Sequence, residues 1–436
     1  MQFYSTKNKA HLVSLKEAVF RGLPPDNGLY MPAEIPALNP SFLRNLHQYS
    51  FQEISFEVAK NLLKGAIPEA ELLPIIEKAI NFPAPLVQLD KQKYILELFH
   101  GPSLAFKDFG ARFMAQIMHY FLREENKELL ILVATSGDTG GAVAAGFFQT
   151  PGIRVVILYP SGKVSMLQEK QLTTLGENIT AMEIEGSFDD CQALVKQAFL
   201  DSTLTAKIHL SSANSINIAR LIPQSFYYFE AIKQLELDSF PVVFSIPCGN
   251  FGNLTAGLFA KKMGLPIHQF IAATNANDVV PKYLSTGVFT PKASVSTLSN
   301  AMDVGNPSNF ARMLDLYCST WNILKEDISG YSFDDEATKK AMQELDSNYH
   351  YTIDPHGAVG YLALQAYQKK YPETSGIILE TAHPSKFKDD VEQILSKKIE
   401  IPERLSALSS RKKEAMLLPA SFEAFKAVLL EKFGKL

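Results

Sequence analysis

Between residues 94 and 400 the apolar positions follow two alternating registers. Short runs rich in β-branched and bulky residues, Tyr94–Phe99, Leu129–Ala134, Val155–Leu158, Ile179–Ile184, Ile208–Ser211, Val242–Ile246, Gln269–Ile271 and Ile377–Leu379, read as strands. The segments between them carry apolar residues three and four apart, the spacing of a helix with one buried face. This alternation predicts an α/β chain with two parallel or mostly parallel sheets and helices on both faces. Residues 1–93 show helical periodicity in Phe51–Lys64 and Glu69–Asn81, interrupted by Pro24-Pro25-Asp26-Asn27-Gly28 and Phe82-Pro83-Ala84-Pro85. The expected organisation is a mainly helical segment 1–93, α/β units 94–240 and 241–400, and a helical tail 401–436.

The stretch His100–Gly110 follows the first strand and opens a helix whose stripe is Phe106, Phe109, Phe113, Met114, Ile117, Phe121 and Leu122. Lys107 falls in its first turn, where the positive end of the helix dipole disfavours a cation by about 0.3–1 kcal/mol. Burial among phenylalanines lowers the ammonium pKa further and exposes a nucleophilic amine. An ordinary lysine would instead lay its stem over Phe109 and pair with Asp108. Gly101 and Gly110 allow close backbone approach and Pro102-Ser103 suggests the helix start, which favours a Schiff-base lysine, and pyridoxal phosphate is the commonest cofactor that needs one.

Composition leaves this reading open and closes others. Over 436 residues the formal charge is −4, which provides no basic footprint for nucleic acid. Cys191, Cys248 and Cys318 are scattered, supporting neither a disulfide framework nor a zinc ribbon. There is no apolar leader and no run of membrane-spanning length, so a cytoplasmic protein with no membrane partner and no metal is expected.

In open α/β sheets ligands gather at the carboxyl ends of strands, and the unusual sequences lie there. Thr135-Ser136-Gly137-Asp138-Thr139-Gly140-Gly141 follows one strand, and its small residues suit either an anion held on backbone amides or an ordinary capped turn. Pro247-Cys248-Gly249-Asn250-Phe251-Gly252-Asn253 follows another and makes a concave loop suited to a phosphate. Neither Gly-x-Gly-x-x-Gly nor a Walker lysine is present. Lys163, Ser165, Asn217 and Arg220 are candidates for a second phosphate, each also explicable as a surface residue or cap. Thr381 ends the last strand, where a hydroxyl suits a pyridine nitrogen, and His383 reads as structural.

Taken in order, His100–Gly110, Ser136–Gly140, Gly249–Asn253, Asn300–Val304 and Thr381-Ala382-His383-Pro384 resemble the threonine synthase family, in the branch whose opening motif is similar to Asp26–Pro32. Cys248 and Gly141 depart from the residues usual there. The resemblance implies a tryptophan-synthase-like fold and a pyridoxal 5'-phosphate enzyme converting O-phospho-L-homoserine and water to L-threonine and phosphate. It implies Lys107 as the Schiff-base residue, with Gly249, Asn250, Phe251, Gly252 and Asn253 around the cofactor phosphate. Asp138 would lie beside the ring and Thr381 at its nitrogen. Ser136, Gly137 and Thr139 would take the substrate carboxylate, and Lys163, Ser165, Asn217 and Arg220 its phosphate. A monomer or homodimer is expected. A threonine or serine dehydratase-like enzyme, and an idle relative that binds phosphorylated ligands, are the alternatives.

Overall fold

Each predicted strand exists, and each leads to the next through a helix or a turn. A computed structural model describes residues 1–123, 125, 128–235 and 240–434. Within them the strands in chain order are β1 (Gln2–Ser5), β2 (Asn8–Ser14), β3 (Tyr30–Pro32), β4 (Leu86–Asp90), β5 (Lys93–Glu97), β6 (Leu129–Ala134) and β7 (Ile153–Pro160). They continue as β8 (Ile179–Glu185), β9 (Leu210–Ser212), β10 (Val242–Pro247), β11 (Gln269–Thr274), β12 (Ile328–Ser332), β13 (Ser375–Glu380) and β14 (Ala415–Pro419).

Two sheets dominate. The larger has the order β12-β11-β10-β13-β5-β4, parallel except for β4, and the smaller is the all-parallel β14-β8-β7-β6-β9. Every residue of β6 and β13 is buried, as expected where helices cover both faces. The period of two then divides the side chains between cores. Ile377 and Leu379 join the large central cluster, whereas Ile378 faces the cluster built by Ala358, Val359 and Leu364 of the helix Pro355–Gln368.

Three features depart from the expected organisation. The segment 1–93 carries a three-stranded antiparallel sheet, β2-β1-β3, besides its helices. Its edge strand β2 is exposed at six of seven positions, so its sequence lacks a strand's apolar alternation. The strand β5 does not begin the smaller sheet but pairs with β13 in the larger one, Tyr94 opposite Ile377. The tail is not wholly helical, because Ala415–Pro419 adds to the edge of the smaller sheet beside β8. Among the described residues no helix is long and apolar enough to cross a membrane.

The N-terminal helices Phe51–Leu63 and Glu69–Ala79 pack on the helix Lys107–Leu122, with Phe109 edge-on to Phe82 at 4.7 Å and 5.9 Å from Phe51. Ser50 and Glu53 form a reciprocal capping box at the start of the first of them. The aromatic wedge fixes the direction in which Lys107 leaves its helix.

Candidate active site

In the larger sheet β10, β13 and β5 are consecutive and parallel, so their carboxyl ends lie side by side, about 5 Å apart per strand. Those ends lead to the glycine-asparagine loop, to Thr381 and to the lysine stretch. The Phe106 amide donates to the Thr381 carbonyl at 2.8 Å, which joins the last two immediately before Lys107. On the other side of Lys107, Gly110 lies where an added Cβ would meet Arg220 at 2.8 Å. The Arg220 carbonyl accepts from Gln224 Nε2, whose amide lies 3.9 Å from where a Cβ of Gly252 would stand. The lysine helix and the helix Gly252–Lys262 thus converge through two buried side chains.

Lys107 is the first residue of its helix, which lacks a side-chain cap. The start is later than Pro102-Ser103 suggested, since Asp108 Oδ2 turns back to accept the Ser103 amide at 2.8 Å. The lysine pairs not with Asp108 but with Asp138, at 3.5 Å. Burial pushes the Lys107 ammonium pKa down, and the Lys386 and Arg220 cations push the same way against Asp138. Burial also raises the Asp108 carboxyl to about 6.

The end of β6 supplies the opposite wall. Gly137 has φ of 135° and donates to Thr135 Oγ1, and an added Cβ would stand 2.6 Å from the Gln168 side chain, so only glycine fits. The helix begins at Asp138. The amides of Ser136, Asp138 and Thr139, and the hydroxyls of Ser136 and Thr139, have no acceptor or donor among the described residues. Free amides at a helix start suit a carboxylate. Asp138 is buried, and although burial opposes ionisation, Lys386 and then Lys107 hold it well below the usual carboxylate range.

The third wall fits a phosphate ester. The amides of Gly249, Asn250, Phe251, Gly252 and Asn253 donate to no acceptor among the described residues, although the loop around them is tightly fixed. Asn253 Nδ2 holds the Pro247 carbonyl at 2.8 Å, and Asn250 accepts from the Ser308 and Asn309 amides. Phe251 is left-handed at φ 59°, and a Cβ on Gly249 would stand 2.6 Å from the Ala301 carbonyl. Five amides and the Thr381 hydroxyl, all without a partner among the described residues, and a partly buried amine match the phosphate, ring nitrogen and aldehyde of pyridoxal phosphate.

The four residues proposed for a second phosphate separate. Arg220 is buried, burial lowers its guanidinium to about 10, and its Nε has no partner. Asn217 does not face the site: it donates to the Val19 and Ser212 carbonyls and accepts from the Ala219 amide, so it fixes the turn that carries Arg220. Lys163 is exposed and Ser165 caps the helix Met166–Thr173 together with Gln168. His383 caps the Pro384–Phe387 turn, and burial lowers it to about 4.

Sequence reasoning missed Lys386, which is fully buried and pairs with Asp138 at 2.8 Å. Its neighbourhood, Lys386-Phe387-Lys388, reads as surface, and only its position five residues beyond Thr381 hinted otherwise.

The chain matches three family models in succession: Threonine synthase N terminus over residues 2–80, Pyridoxal-phosphate dependent enzyme over 79–380, and Threonine synthase, C-terminal over 357–429. It is 45% identical to the threonine synthase of Escherichia coli strain K12 over 432 residues, covering 99% of both chains. It belongs to the threonine synthase family. The Escherichia coli threonine synthase crystal structure superposes with a TM-score of 0.91 over 99% of this chain and 100% of that one, at 44% identity. The PLP-bound threonine synthase of Brucella melitensis does so with 0.93, at 34% identity over 99% of each. As a threonine synthase family member the chain is a pyridoxal-phosphate-dependent lyase of α/β fold, and its two terminal segments belong to the family pattern.

Proposed function

We propose that this chain converts O-phospho-L-homoserine and water to L-threonine and phosphate, with Lys107 as the catalytic residue. Lys107 carries this reading: a partly buried amine of lowered proton affinity, its nearest carboxylate 3.5 Å away, on a rim shared with five amides that have no acceptor among the described residues. Bound pyridoxal phosphate supplies an electron sink for charge developing on the substrate carbons. Lys107 holds the cofactor and takes and returns protons at the substrate Cα and Cβ, work that a poised amine accelerates by about 10²–10⁴. The 249–253 amides would hold the cofactor phosphate, with Thr381 toward the ring nitrogen and Asp138 toward the ring edge. Ser136, Gly137 and Thr139 orient the substrate carboxylate. Arg220 supports departure of the substrate phosphate by meeting its charge, with Lys163 and Ser165 at the outer rim. Asn217 acts only by holding Arg220. The free cysteines suit a cytoplasmic protein, as monomer or homodimer.

Borohydride reduction of the cofactor-loaded chain is expected to place the label on the Lys107 peptide, and Lys107→Ala to remove it. Incubation with O-phospho-L-homoserine is expected to release phosphate and threonine in equal amounts. A label that persists in Lys107→Ala contradicts the lysine assignment. 2-Oxobutanoate from free threonine as the main activity would instead identify a dehydratase, and no product with a colourless protein would identify an idle binder.

A further inference from the structure

One fully buried lysine and one partly buried lysine share a carboxylate. Lys386 Nζ lies 2.8 Å from Asp138 Oδ1, and Lys107 Nζ lies 3.5 Å from Oδ2 of the same residue. Lys386 also donates to the Ser103 carbonyl at 2.8 Å and to Gln171 Oε1 at 3.2 Å. The three N–H bonds of an ammonium are therefore all matched by acceptors, in a side chain with no exposure. Lys107 has no such set. Its single polar partner among the described residues stands beyond ordinary hydrogen-bond length, and it occupies the first position of a helix, facing the positive end of the dipole.

One buried carboxylate cannot neutralise two ammonium groups, so only one of the two lysines keeps its proton at little cost. The acceptor geometry chooses Lys386. Gln168 Nε2 donates to Asp138 Oδ1 at 3.0 Å, which holds the carboxylate turned toward Lys386. We propose that Lys386 is a positioning residue: it occupies Asp138 as its counter-ion and thereby leaves Lys107 free to act as nucleophile and base.

The charged and polar groups facing the pair come from each neighbouring element. Asp138 and Gln171 come from the helices behind β6 and β7, Arg220 from the Asn217 turn and Asp108 from the lysine's own helix. Arg220 and Lys386 both disfavour a second cation at Lys107, and Asp138 alone favours one. Without the Lys386 charge, Asp138 would be left with Lys107 as its only cation within ion-pairing distance among the described residues.

This inference rests on Lys107 being the cofactor lysine, but its test does not need the cofactor. In the full-length chain without cofactor, the pH dependence of Lys107 acylation is followed by peptide mapping. Lys386→Met is expected to make Lys107 about tenfold or more less reactive near neutral pH, a midpoint about one unit higher, and Lys386→Arg to restore it. A Lys386→Met chain that is folded and titrates like the wild type overturns the proposal. Should that variant not fold, titration of the ¹³C-lysine-labelled wild type decides, with Lys107→Ala assigning the signal. Lys107 is expected to lose its proton below the ordinary lysine range, and a Lys107 that titrates at or above that range overturns the proposal. Failure of borohydride labelling at Lys107 with this lowered titration intact would count against the catalytic reading alone.

Discussion

Glu380, at the end of β13, is a carboxyl in an apolar strand with one oxygen satisfied by the Asp354 amide at 2.8 Å and the other, Oε2, without a partner. Burial, with Asp354 and Glu97 nearby, raises its pKa well above the ordinary value. The folded chain therefore keeps this proton at a pH where the unfolded chain, with a reference near 4.3, has lost it. The unfolded state binds fewer protons, so stability falls as pH rises above about 4.3, by up to about 1.4 kcal/mol per unit. Glu380→Gln is neutral at every pH and removes that slope. Urea midpoints at pH 5.5 and pH 8 are expected to show the variant gaining on the wild type toward the alkaline side. An equal gap at both values would mean that Glu380 is ionised in the fold. The same crowding explains Gly357, where a Cβ would stand 1.6 Å from Glu380 Oε2.

Among the elements, the tail is the one whose role its sequence concealed. Ala415–Pro419 has no polar interruption and no β-branched residue, so its apolar run suits a helix as well as a strand. Pairing with the exposed edge of β8 decides it, and the following helix Phe422–Phe433 then drops Phe425, Leu429 and Phe433 onto Leu194, Val195 and Ala198. Phe425→Ala is expected to cost about 3–5 kcal/mol, the usual range for emptying a closed aromatic site. The denaturation midpoint should fall while cofactor absorbance at saturation is kept, because this cluster lies on the face of the smaller sheet formed by Leu130, Leu132 and Val156. An unchanged midpoint would contradict the packing. Legibility follows the same logic elsewhere. The buried parallel strands were readable because both their faces are apolar, whereas β2 and β12 were not, β2 being solvated along its length and Ile328–Ser332 containing Gly330 and two serines. In the site, Lys107, Gly137 and the 249–253 loop were readable from residue type at a strand end. Lys386 and the inward turn of Asn217 were not, because both depend on partners more than 190 residues away in the chain.

At the scale of the whole molecule, the N-terminal segment reaches the 249–253 loop, proposed to hold the cofactor phosphate, through one buried arginine. Arg312 has no exposure and, among the described residues, no carboxylate partner, and burial lowers its guanidinium to about 9. Its Nε donates to the Tyr30 carbonyl of the Asp26–Pro32 motif at 3.1 Å, one Nη to the Ile216 carbonyl at 2.7 Å, and the other to Asn309 Oδ1 at 2.6 Å. Asn309 in turn donates its amide to the Asn250 carbonyl at 3.3 Å. The antiparallel sheet, the Asn217 turn and the phosphate loop thus share a single cation, and a planar fork is the only side chain that serves three acceptors in fixed directions. Arg312→Met keeps the volume but strands those acceptors, at about 1–3 kcal/mol for each left dry. Arg312→Lys keeps the charge and loses the fork. Both variants are expected to weaken cofactor binding, read by fluorescence titration, by about tenfold or more, and both should melt earlier than the wild type. A purely structural arginine would lower the melting temperature while leaving the affinity of the folded chain unchanged. That outcome would uncouple the N-terminal segment from the cradle, whereas a joint loss that Lys fails to rescue would show that the fork, not the charge, holds the loop in register with the rest of the fold.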